Sequence, residues 1–101
     1  MRRILHIHNK SLPPSRDSGG SNRLIDWLAV EQANQGHNVS VISPSGMNTR
    51  YYEHIQMPHQ CDFDTLVKLI PADVTDIEYH GGLDANVVDK LLVKYPRSLQ
   101  V

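Results

Sequence analysis

The chain has 101 residues, enough for one domain and too few for two, since domains run to about 100–150 residues. Hydrophobic residues make up 40% and charged residues 21%, a balance that excludes wholesale disorder, collagen and long coiled coils. Ten Lys and Arg against eleven Asp and Glu give a formal charge of -1, so no global basic field exists to capture nucleic acid and any anion site must be local.

Arg3-Ile-Leu-His-Ile-His8 is short, aliphatic and β-branched, and reads as a buried first strand. The breaker-rich stretch Asn9 to Gly20 follows, a loop longer than the two to six residues usual between strand and helix. Leu24, Ile25, Leu28, Ala29 and Ala33 then recur at helical spacing over Ser21 to Gln35, with Gly36 placed for a left-handed cap. Residues 37–44 alternate as a second strand, and strand, helix and strand in about forty residues make a right-handed parallel βαβ unit. Tyr51 to Met57 is an edge-strand candidate stopped by Pro58. A helix over Asp62 to Ile70, a strand over Val74 to His80, a helix over Ala85 to Tyr95 and a strand over Ser98 to Val101 complete the pattern. The expected fold is α/β, a Rossmann-like doubly wound open parallel sheet, with the first strand between the second and the fourth. An apolar strand at the last residues suggests an incomplete domain.

Ligands of open α/β sheets bind beyond the carboxyl ends of strands, which directs attention to residues 9–20, 43–50 and 80–84. Gly19 and Gly20 lie at the entry to the first helix, where backbone N–H groups favour an anion. The plainer reading is that they let the loop turn, because neither a G-x-G-x-x-G nor a P-loop string is present. His6 and His8 point to one face of their strand and, with His80, raise a metal site; a strand buried on both faces and the lack of an acid placed nearby by sequence argue against it, so no metal is expected. His54 and His59 read as surface residues, Trp27 and Tyr95 as packing, Tyr51 and Tyr52 as edge-strand residues with ring stacking as the alternative. The single cysteine, Cys61, has no C-x-x-C partner and no placed base, so it is not read as a nucleophile.

In order, Arg3-Ile-Leu-His-Ile-His-Asn-Lys10, Pro13-Pro14, Asp17-Ser-Gly-Gly-Ser-Asn-Arg23, Leu28-Ala29 and Gln35-Gly-His-Asn-Val-Ser-Val-Ile-Ser-Pro44 form a sequence of motifs. Taken together they resemble the N-terminal domain of glycosyltransferase family 4, retaining sugar-nucleotide transferases of the GT-B fold. Asp73-Val74 and Asp76-Ile-Glu-Tyr-His80 through Gly82 are similar to that family's fourth strand, whereas residues 45–71 match by position only. Asn22 stands where the family usually has Glu, and Gln35 replaces a common Arg.

The resemblance implies an acceptor-side domain, residues 1–101, that works with a C-terminal donor-binding domain for which this sequence has no counterpart. It implies a nucleotide-sugar substrate and a sugar or other hydroxyl acceptor, no separate cofactor, no nucleic acid partner, and no transfer by these residues alone. Gly19 and Gly20 would face the donor diphosphate, and Asn9, Lys10, Arg23, His80 and Gly81 would be phosphate or acceptor contacts; no catalytic residue carries over. Location would be the cytoplasm, free or at the inner face of a membrane, since no apolar run approaches the roughly 20 residues of a bilayer span. The alternative is a self-contained Rossmann-like module without catalysis that pairs with another copy through the edge of its fifth strand.

Overall fold

Strand β1 (Arg3–Ile7) is buried along nearly its whole length, because a central parallel strand has neighbours on both edges and helices on both faces. The structure, a computed structural model, describes residues 1–9 and 20–101. After β1 come α1 (Gly20–Asn34), β2 (Asn38–Ser43), β3 (Glu53–Gln56), α2 (Phe63–Leu69), β4 (Asp76–Tyr79), α3 (Ala85–Lys94) and β5 (Ser98–Gln100). The sheet has the order β3-β2-β1-β4-β5 with every neighbouring pair parallel, which is the expected Rossmann-like α/β arrangement. Each element falls within a few residues of its sequence pattern.

Alternation along β1 divides the core in two. Leu5 and Ile7 face α2 and α3, where they pack with Ile42, Met57, Leu66, Ile77, Tyr79 and Leu91. Ile4 faces α1 and packs with Ile25, Ala29, Val39, Val41 and Tyr52. Local chemistry sets the helix ends. Asp62 caps α2 by accepting from the Thr65 N–H at 2.8 Å, and Asp84 caps α3 by accepting from the Asn86 N–H at 2.9 Å. Gly36, at φ 92°, closes α1: its own N–H donates to the Ala33 carbonyl and the His37 N–H to the Gln32 carbonyl.

Four side chains depart from the sequence expectation. Trp27 is 59% exposed instead of packed, and Leu24 is exposed as well. Trp27 lies two residues from Ile25, about 200° around the helix, so it points away from the stripe of Ile25, Ala29 and Gln32 that meets the sheet. His54 is half-buried and not a surface residue, because the β2–β3 pairing sets its Nε2 2.8 Å from Ser43 Oγ. Tyr52 is 3% exposed, and its hydroxyl donates to Asp26 Oδ1 at 2.6 Å, so it ties α1 to the approach of β3 and presents no face to a ligand. No described helix is long and apolar enough to cross a membrane.

Tyr52→Phe should cost about 1.5–3 kcal/mol in urea unfolding, the worth of one hydrogen bond to a carboxylate. Trp27→Ala should change stability by less than about 0.5 kcal/mol. The reverse ranking would place Trp27 in a packed interface.

Candidate functional site

The direction of winding reverses between β1 and β4, and above their carboxyl ends lies an open crevice of about 560 Å³. Asn9, just past β1, and Gly82 and Leu83, just past β4, form one wall; Gln60, Cys61 and Asp62 form the other. Two distant segments meet here. Asn9 Nδ2 donates to the Gly82 carbonyl at 3.0 Å, and the Leu83 N–H donates to the Tyr79 hydroxyl at 2.8 Å, which fixes the turn after β4. Gly81 and Gly82 hold φ values of 111° and 96°, a region that side chains resist, and a Cβ on Gly82 would overlap the Cβ of Asn9. Asn9 Oδ1 is buried and has no partner among the described residues.

On the α1 side of the same strand ends sits a polar cluster. The β1–β4 register sets His6 beside Glu78, and alternation brings His8 and His80 to the same face. His6 Nδ1 lies 2.8 Å from His80 Nε2, and its Nε2 lies 2.7 Å from Gln32 Oε1 and 3.8 Å from Glu78 Oε2. Gln32 Nε2 donates to Glu78 Oε2 at 2.7 Å. The His6 and His80 rings stack at 5.1 Å, and His8 meets His80 edge-on at 6.3 Å.

Burial lowers the His6 pKa, against the raising influence of Gln32 and Glu78. His80 is pushed down to about 4 by burial and then by His6 and His8. Burial raises the Cys61 thiol, helped by the Asp62 charge, so Cys61 is a protonated thiol whose Sγ donates to the Asp62 carbonyl. Ligand atoms of His6, Glu78 and His80 lie within 4.8 Å of one another, a donor set that can hold zinc or a similar borderline ion. The acid that sequence reasoning could not place is therefore present, and it is Glu78.

Of the residues singled out from sequence, Asn9, His80, Gly81 and Gly82 gather at the β1 and β4 ends. Gly20 opens α1, and Arg23 is exposed in the first turn of that helix. Lys10 and Gly19 lie outside the described residues, as does the loop 10–19 as a whole. Sequence reasoning missed Glu78 and Gln32. Gln32 carried a signal, since it falls three residues after Ala29 and seven after Ile25 on the sheet-facing stripe of α1.

Gly81→Ala should destabilise by about 1–2 kcal/mol through the positive φ alone, and Gly82→Ala by distinctly more, because Asn9 must also move. Chemical denaturation of the two variants compares them; equal losses would show that Asn9 swings aside freely.

No protein-family model matches the chain, and no curated protein and no solved structure matches it.

Proposed function

We propose that the chain is the acceptor-side domain of a glycosyltransferase that moves a sugar from a nucleotide-sugar to a hydroxyl acceptor. One observation carries the reading: the two segments whose residues resemble family 4 glycosyltransferases, one ending β1 and the other ending β4, are clasped to each other at the switch point through Asn9 and Gly82. A crevice there suits a ligand held by few, directed polar groups. The donor diphosphate is assigned to the start of α1, where Gly20 is the first helical residue and no acidic side chain occupies the first turn. The other two helices that begin at this end of the sheet are capped by Asp62 and Asp84, whose charges disfavour phosphate. Sugar hydroxyls are assigned to Asn9, His80 and Gly81. Stabilising a leaving diphosphate takes groups from both sides of a cleft, so residues 1–101 alone are expected to bind and not to turn over.

The second reading, a non-catalytic module that pairs with its own kind, is favoured by β5. It is a sheet edge on which Leu99 is 60% exposed and Val101, just beyond it, 57%.

Titrating uridine, guanosine and adenosine diphosphates and simple methyl hexosides into the 15N-labelled chain separates the two. The glycosyltransferase reading expects amide shifts concentrated at Asn9, Gly20 and His80 to Gly82, with no sugar transfer from any nucleotide-sugar supplied. Unmoved amides at those positions, with concentration-dependent broadening over Ser98 to Val101, would overturn it in favour of self-pairing.

A further inference from the structure

His6 is completely buried, so neither of its ring nitrogens reaches water and each must find a partner inside the protein. Both do, and the identity of the partners determines where every proton sits. An ionised Glu78 carboxylate can only accept. The Gln32 group 2.7 Å from Glu78 Oε2 is therefore the NH₂ end of the amide, since the opposite orientation would set carbonyl oxygen against carboxylate oxygen. That turns Gln32 Oε1 toward His6, where it too can only accept, so His6 Nε2 carries the hydrogen. A neutral His6 then has its lone pair on Nδ1. His80 Nε2, 2.8 Å away, must donate to it, and a neutral His80 is left with its lone pair on Nδ1. Among the described residues the one side-chain hydrogen bond of His80 is the one its Nε2 makes to His6, and His80 itself is only half-buried.

We propose that Glu78, Gln32 and His6 form a one-way hydrogen-bond chain that locks His80 in its Nε2–H tautomer and makes His80 Nδ1 a fixed acceptor for a hydroxyl group bound at the β1 and β4 ends. Gln32, His6 and Glu78 are positioning residues; His80 is the contact. The sugar identity of that hydroxyl rests on the function proposed above, whereas the tautomer rests on the chain alone. The groups facing His80 are His6 and His8 from β1, Glu78 from its own strand through the chain, and the neutral Gln32 from α1. Burial, and then His6 and His8, disfavour a positive charge on His80. A neutral imidazole nitrogen with a free lone pair accepts a hydrogen bond from the hydroxyl. It orients the hydroxyl so that an oxygen lone pair is free on the other side.

Long-range 1H–15N correlation spectra of the histidine-labelled chain at pH 7 read the tautomers directly. His6 and His80 should both show the Nε2–H pattern. Gln32→Leu should convert His80 to a mixture, and Glu78→Gln, a milder change that removes only the charge that sets the direction, should shift it part of the way. Methyl hexosides should move the His80 Nδ1 resonance of the unsubstituted chain, with affinity roughly fivefold weaker in Gln32→Leu, the worth of one neutral hydrogen bond. An Nδ1–H or doubly protonated His80 at pH 7 would overturn the inference whatever nucleotides do at α1. The stated tautomer with an unmoved Nδ1 on hexoside addition would overturn its ligand half, and diphosphate shifts at Gly20 would then show that the donor side of the proposed function survives. Stoichiometric Zn²⁺ that replaces the Nε2 proton of His80 would also overturn it, in favour of a metal centre at His6, Glu78 and His80.

Discussion

A central parallel strand that carries histidines must satisfy them without water, and this constraint organises the α1 side of the molecule. The His6 ring is wholly buried, and Ile4 on the same face packs into the apolar contact with α1. Leaving a ring nitrogen unpaired there would cost about 1–3 kcal/mol. The cost is avoided by three groups from two other elements: Gln32 on α1, Glu78 on β4 and His80 at the end of β4. Helix position, strand register and the orientation of a candidate ligand contact are thereby linked through one side chain.

The two ends of the sheet differ in chemistry. At the amino end, Arg97 and Arg2 reach Asp76 at 2.7 and 3.3 Å, and Arg3 reaches Asp73 at 3.4 Å. These pairs are substantially exposed and contribute little energy each. At the carboxyl end the loops instead carry glycines in left-handed conformations, an asparagine clasp and His80, whose pKa burial lowers. Strained backbone and directed polar groups are concentrated where the winding reverses, which is where an open α/β sheet binds ligands.

Much of this fold was legible because its signals are local. The aliphatic run of β1, the helical stripe through Ile25 and Ala29, Gly36 after α1 and the prolines after α2 and α3 each act on their own neighbourhood. The site was half legible. Asn9 and His80 could be named from their places at strand ends, but the Asn9 to Gly82 clasp spans 73 positions in the chain. Glu78 was hidden because its meaning depends on the β1–β4 register, and shifting that register by one residue would turn it to the opposite face. His54 was misread for the same reason, through the β2–β3 register that brings it to Ser43. Trp27 shows the opposite error, in which residue type outweighed helical angle.

The claim that α1 and β4 are coupled through a buried polar chain is tested most directly by a double-mutant cycle. Gln32→Met and Glu78→Met remove opposite ends of one 2.7 Å hydrogen bond, and urea unfolding of the single and double variants measures their interaction. Each single variant leaves a polar partner stranded, so the double variant should be less destabilised than the sum of the two by about 1 kcal/mol or more. Losses that add to within about 0.3 kcal/mol would mean that the two side chains act independently, and the chain that orients His80 would not exist as described.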